Sequence, residues 1–484
     1  MFRHLVYYLL GVIMSVSLHA STELDDYLAQ LEKKPYFKQA SLSLYAVAEK
    51  DLKILVDHNG EKSLNPNSIL KLLTTAAALK ILGKDFQFKT ELLGLGVIKN
   101  HTLEGDLVIL GDGDPALGSM REGSHKKLLD SWVLALRNQG IQCIQGSIVA
   151  DASCFEQRAA SPTWLWEDLG NYYGAGAFGL NFHENLYTVS FQLGSKLHEA
   201  TTITHLYPSI KHLNVVNEVV SGSPGSGDQA YIFGEELTML RHIRGTLPLD
   251  HPSFVIKGSM PNPPLCCAQQ LKERLEKEGL TIQGEAKASF ESVLAKDSLK
   301  QRLCLDNVVS SLSHIIFLTN KLSINLYAEA LLKKVGSFKQ GKGSYASGIE
   351  ALYTYLKELG LPLEGFKIVD GSGLSTKNLV TAKGMVEFLV KLSKEPYYPD
   401  LLTSLPCNTS NDISSLKTSL SSEELQGRIF AKTGYSSHGE SLAGIFINAK
   451  GERVFFCILC NHFLGPRKLL REEFKKIFTI LDQS

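Results

Sequence analysis

Three short motifs in the chain combine residue types able to carry out acyl transfer. Ser68-Ile69-Leu70-Lys71 opens a long apolar run. Residues three apart on a helix share a face, so the Lys71 amine can reach the Ser68 hydroxyl and take its proton. The amides at a helix start face a developing oxyanion, and an apolar wall depresses a lysine pKa. Ser323-Ile324-Asn325 lies where Asn320-Lys321-Leu322 hands over to a further helical stretch. Two apart on a loop, its hydroxyl can relay protons and its amide can hold a substrate carbonyl in one cleft. Lys432-Thr433-Gly434 ends a strand-like run from Arg428. An ammonium and a hydroxyl suit a carboxylate there, and an edge strand can pair with an extended peptide.

Each motif alone is weak. Roughly two or three Ser-x-x-Lys tetrapeptides are expected by chance in a chain of this composition, and three occur: Ser68 to Lys71, Ser124 to Lys127 and Ser414 to Lys417. The first opens a long apolar helix. Ser-x-Asn recurs at Ser63-Leu64-Asn65 and is also a common helix cap. Lys432-Thr433-Gly434 is the single Lys-Ser/Thr-Gly, although a solvated strand end would explain it equally well. The weight lies in the ordered set of three.

The elements that must position them are legible in outline. Ala40 to Ala48 and Asp51 to Asp57 alternate in polarity around Glu49-Lys50, which predicts a hairpin. Asn65-Pro66-Asn67 is expected to cap a buried helix from Ser68 to Leu82, closed by Gly83. From Phe86 to Lys300 short strand-like segments alternate with Gly, Asp and Asn, and helical runs cover Lys126 to Gln139 and Ala268 to Gly279. Helix is expected from Asp306 to Val335 and from Ser347 to Leu359. Strands follow at Arg428 to Lys432, Ser441 to Asn448 and Arg453 to Cys460, then a helix from Pro466 to Leu481. The similar ends bracket a β-rich middle, so one domain closed by bringing the termini together is the economical reading.

The 484 residues carry 50 basic and 50 acidic side chains, and 44% are hydrophobic. That composition excludes low-complexity disorder and gives no basic excess for a nucleic-acid partner. At about 150 residues per domain the length admits roughly three units. Arg3 and His4 precede an apolar stretch from Leu5 to Leu18 and a small residue, Ala20. This is the order of a secretory signal cut near Ala20, and the stretch is shorter than the ~20 residues of a spanning helix. An exported, periplasmic protein is expected. The eight cysteines form no evident framework, and Cys457 and Cys460 on one strand would point to opposite faces. A Cys143–Cys154 disulfide across a turn is the one pairing suggested. Gly174 to Gly179 matches a dinucleotide pattern but runs into a strand-like segment. Gly111-Asp112-Gly113-Asp114-Pro115 reads as a tight turn rather than a calcium loop. No cofactor and no metal are expected.

Ser-x-x-Lys, Ser-x-Asn and Lys-Thr-Gly in that order are the three active-site walls of penicillin-recognising serine enzymes. Longer strings agree: Gly105 to Pro115, Trp166-Glu167-Asp168-Leu169 with Tyr173-Gly174-Ala175, Asn320 to Ala330, Asp370 to Ser375 with Asn378 to Thr381, and Arg428 to Gly434. On these residues the sequence resembles the class C low-molecular-mass penicillin-binding proteins, the D-alanyl-D-alanine carboxypeptidase/endopeptidase family. The resemblance implies an α/β (α+β) fold: a penicillin-recognising serine transpeptidase/β-lactamase-like domain, an antiparallel sheet with helices, split by two nested β-rich inserted domains. It implies a signal peptide over 1–20, a DD-peptidase domain from 21–88 and 301–484, an inserted domain over 89–170 and 263–300, and a nested domain over 171–262.

The resemblance further implies that Ser68 attacks the penultimate D-Ala carbonyl of a peptidoglycan stem peptide, with Lys71 as base and Ser323 as proton carrier. Asn325 would hold the peptide carbonyl, Lys432, Thr433 and Gly434 would line the carboxylate site, and the amides of Ser68 and Tyr435 would form the oxyanion hole. β-Lactam antibiotics would acylate Ser68 as inhibitors. Three departures stand out: Tyr435 where relatives carry Thr or Ser, Ile324 in place of a polar residue, and His438 and Glu440 in the turn beyond. Rival readings are a silent peptide-binding module occluded by Tyr435, and an SxxK β-lactamase or esterase. The terminal helix from Pro466 to Leu481 is a candidate for peripheral membrane contact, although charges on several faces suit core packing better. Oligomeric state and carboxypeptidase against endopeptidase balance stay open.

Overall fold

The computed structural model describes residues 22–296, 300–414, 416–420 and 422–483; the signal-like segment lies outside them. A five-stranded antiparallel sheet runs in the order Ile429–Ser436, Gly439–Ile447, Arg453–Asn461, Ser41–Ala48, Ile54–His58. The two ends of the chain meet inside it, with Ser41 opposite Asn461 and Ala48 opposite Val454. Its inner strands are largely apolar because both faces are covered. Leu42, Leu44, Phe456, Ile458 and Cys460 pack toward the helices Thr22–Leu31 and Arg467–Leu481. Tyr45, Val47, Phe455, Cys457 and Leu459 face the opposite layer, which holds the helices Lys71–Leu82, Leu312–Leu322, Asn325–Gln340, Tyr345–Glu358 and Ala382–Leu392. Cys457 and Cys460 therefore part to opposite faces, as their spacing requires. The terminal helix is packed against the sheet, and no helix among the described residues is long and apolar enough to cross a membrane.

The middle of the chain builds three further sheets. Gln87–Lys99, Thr102–Leu110 and Arg302–Ser311 belong to a seven-stranded one, and the stretch 186–259 forms two of three strands each. One buried cluster from Leu92 to Ile282 runs through all of this middle region.

Two expectations for the middle of the chain change. Residues 306–311, expected to open a helix, belong instead to the strand Arg302–Ser311, with Arg302 opposite Leu95 and Ser311 opposite Gln87. Paired backbone and the β-branched Val308 and Val309 outweigh the helical pattern read there, and the helix begins only after Ser311, whose Oγ accepts the His314 amide. The Cys143–Cys154 disulfide is absent, because both are free thiols. Cys154 donates to the Gly179 carbonyl at 3.3 Å, while Cys143 faces Gln283.

Candidate active site

The chain reaches Ser68 through a strained turn. Asn67 has φ +50°, and its amide donates to Asn65 Oδ1 at 2.9 Å. Asn65 also donates to the carbonyls of Ser375 and Asn378. Asn67–Leu70 is then a 3-10 turn that passes into the helix at Lys71, with no side-chain cap at either start. That departs from the capped α-helix expected from Ser68. It matters chemically, because side chains three apart eclipse one another in a 3-10 turn. Lys71 Nζ consequently lies 2.9 Å from Ser68 Oγ.

Lys71 is fully buried and also donates to Asn325 Oδ1 and to the Ser372 carbonyl, both at 2.7 Å. Neither of those partners can donate a hydrogen. Asn325 is oriented by its own amide group, which donates to the Tyr173 carbonyl at 2.8 Å. A neutral amine here has both hydrogens committed to fixed acceptors, so its lone pair is aimed at the Ser68 hydroxyl. Burial pushes Lys71 down to about 7, with Glu329 and Asp370 acting against it.

Ser323 ends the helix Leu312–Leu322 with φ +58°, and Asn325 begins the next helix. The reversal between them brings the hydroxyl of one and the amide of the other into the same cleft. Ser323 Oγ accepts a hydrogen bond from Lys432 Nζ at 2.9 Å. Lys432 is fully buried on the outermost strand, and burial together with neighbouring Lys71 holds it well below its ordinary value.

Along that strand the even-numbered residues exchange hydrogen bonds with the inner neighbour, so odd-numbered backbone groups face outward. The Ala431 amide already does so, donating to the Pro406 carbonyl at 3.0 Å. Two residues further the same geometry turns the Thr433 and Tyr435 backbones toward the cleft. Gly434 lets the strand approach the nucleophile: a Cβ there would lie 2.6 Å from the Ser68 amide and 2.5 Å from Ser441 Oγ. Gly434→Ala is expected to slow acylation by tenfold or more, since overpacking costs roughly 1–3 kcal/mol and would fall on the nucleophile turn. A labelling rate equal to wild type would show that the turn can move aside.

Tyr435 is 54% exposed, and its ring lies beneath the Arg467 guanidinium, 4.8 Å from the ring centroid. Glu440, opposite it in the hairpin, is buried and paired with Arg471. The terminal helix thus holds Tyr435 and Glu440, two of the three unusual hairpin residues. The other two Ser-x-x-Lys sequences lack a buried lysine: Lys127 and Lys417 are exposed. Asp112 and Asp114 of the tight turn are tied to Lys334 and Ser310 respectively. The sequence reading missed the Ser372 and Tyr173 carbonyls, since a backbone acceptor has no residue signature, and Glu329, whose signal was its place four residues after Asn325.

The model of the D-Ala-D-Ala carboxypeptidase 3 (S13) family matches residues 21–479. The chain is 27% identical over 457 residues to a D-alanyl-D-alanine carboxypeptidase of Actinomadura sp. (strain R39), covering 93% of this chain and 82% of that protein. It is 25% identical over 463 residues to D-alanyl-D-alanine carboxypeptidase DacB of Haemophilus influenzae, covering 94% and 91%. The fold matches the crystal structure of penicillin binding protein 4 (dacB) from Haemophilus influenzae with a TM-score of 0.82 at 24% identity, over 96% of this chain and 100% of that one. With the mixed α/β architecture and the convergent serine and lysine side chains, this match over nearly the whole length means that the chain belongs to the D-Ala-D-Ala carboxypeptidase (S13) family.

Proposed function

We propose that this enzyme acts outside the cytoplasmic membrane, in the periplasm, on peptidoglycan stem peptides, through an acyl-enzyme on Ser68. The observation that carries the reading is the three-way grip on Lys71, which leaves one direction for its lone pair, toward Ser68 Oγ. Lys71 would take the Ser68 proton as Oγ attacks the penultimate D-Ala carbonyl. The amides of Ser68 and Tyr435 would stabilise the oxyanion. As the C–N bond breaks, Ser323 would pass a proton to the departing D-Ala amine and be resupplied from Lys432, and the proton taken up by Lys71 would then return to Lys432, which leaves Lys71 neutral for the water step. Water then hydrolyses the ester. The second hydrogen on the Asn325 amide nitrogen is available for the peptide carbonyl, and Lys432 with Thr433 would receive the terminal carboxylate.

That carboxylate would also raise the proton affinity of Lys432, so substrate binding and protonation of Lys432 favour one another. A β-lactam mimics the scissile amide, and a Haemophilus influenzae relative has been solved with one bound. Incubation with a fluorescent penicillin should give one covalent adduct, on Ser68, and a D-Ala-D-Ala-ended pentapeptide should release D-Ala. An adduct with no D-Ala release from any stem peptide would instead favour a binding module.

Tyr435 gives this site a character of its own. Thr433 and Tyr435, two apart, share one side of the strand, so the Tyr435 ring, stacked on Arg467, would take the place of the second hydroxyl that relatives carry beside Thr433. Tyr435→Thr is expected to lower KM for the pentapeptide several-fold while leaving kcat nearly unchanged, because the nucleophile and base are untouched. Steady-state kinetics on both proteins check this; an unchanged KM would remove Tyr435 from substrate recognition.

A further inference from the structure

Glu329 is a fully buried carboxylate that no step above uses. It lies one turn beyond Asn325, so both side chains leave the same face of their helix. Its Oε2 accepts the Gly371 amide at 2.9 Å and its Oε1 the Ser372 amide at 2.8 Å. The carbonyl of that same Ser372 receives Lys71 Nζ. One helix therefore grips the lysine twice, directly through Asn325 and indirectly through the 371–372 backbone that Glu329 holds.

We propose that Glu329 is a positioning residue for acyl transfer: it aims the Ser372 carbonyl at Lys71, and its charge governs when Lys71 gives up its proton. The inference rests on the acyl-enzyme reading for its functional meaning.

The surroundings support an exchange of charge between these two groups. Facing Glu329 are Lys71 from the nucleophile helix, Asp370 from the loop, Lys333 from the next turn of its own helix, and Tyr345 from the adjacent helix; Lys432 faces Lys71 from the edge strand. Asp370 is held by four donors, from Trp164, Gly373, Ser375 and Asn378. Lys333 turns away to the carbonyls of Arg158 at 2.6 Å and Ala177 at 3.1 Å. Lys71 is left as the cation that answers to Glu329. Burial, then Asp370, pushes Glu329 up against the hydrogen bonds from residues 371 and 372, into the range where Lys71 titrates, so each of these two groups favours the charged form of the other.

The test is the pH dependence of penicillin acylation in the full protein. Glu329→Gln removes a negative charge near Lys71, which then loses its proton more readily. The acid limb should move to lower pH by about one to two, the size of a close charge effect. Glu329→Asp keeps the charge on a shorter arm and should return the limb to the wild-type position with a lower plateau. A limb that stays put in Glu329→Gln while the plateau falls would mean a merely structural role and overturn the proposal, as would equal displacement in both variants. Should Glu329→Gln fail to fold, the Lys71 Cε resonance of 13C-lysine-labelled wild-type protein decides. Two inflections, one from Lys71 and one from its neighbour, are expected, and a single one overturns the coupling. That titration needs no turnover, so an absence of penicillin labelling would sink the acyl-enzyme reading without touching this result.

Discussion

Ser68→Ala should abolish the covalent penicillin adduct and drop D-Ala release from the pentapeptide to background. Removing the nucleophile of a serine hydrolase costs on the order of 10⁶ in rate, because no other group can form the ester. The fold should survive. The Ser68 hydroxyl is partly exposed and its hydrogen-bond partner is Lys71, so the loss is about 1 kcal/mol at most. Equal melting temperatures with an absent adduct would isolate the chemistry from the structure. An adduct that persists in the variant would place the nucleophile elsewhere and overturn the assignment of Ser68. Intact mass before and after labelling separates these outcomes.

Lys71→Arg is the second large effect expected, a loss of about 10²–10⁴ in acylation, the usual contribution of a positioned general base. The charge is conserved, so a purely electrostatic role would tolerate the change. A guanidinium stays protonated throughout the accessible pH range and cannot accept the Ser68 proton. The wild-type enzyme should show the corresponding pH dependence. Burial lowers Lys71 to about 7, so the neutral, proton-accepting form is scarce below that value and dominant above it. Acylation should therefore rise about tenfold per pH step on the acid side and flatten above about pH 7. An acylation rate that falls as pH rises through 7 would require a protonated Lys71 and a different base. Retention of near-wild-type rates by Lys71→Arg would make the same point independently.

Much of the fold could be read from the chain because its signals are local. The hairpin Ser41–Ala48 with Ile54–His58, the long apolar helix and the terminal strands follow from period and punctuation within a few residues. Residues 306–311 misled because their helix-like pattern continues into a true helix at Leu312. The pairing with Gln87–Lys99 that makes them a strand is made across more than two hundred residues and leaves no local trace. The free state of Cys143 and Cys154 is of the same kind: nearness along the chain did not mean facing side chains.

The same division runs through the site. Sequence by itself determined which side chains are candidates for the chemistry, since Ser68, Lys71, Ser323, Asn325 and Lys432 are recognisable by type, spacing and order. Only the tertiary structure decided how they are tuned. The 3-10 turn that eclipses Ser68 and Lys71, the carbonyls of Ser372 and Tyr173, the outward amide of Tyr435 and the buried Glu329 are contributed by segments far apart in the chain. Reactivity at a residue depends on the field and hydrogen bonds around it, and these are properties of packing rather than of residue type.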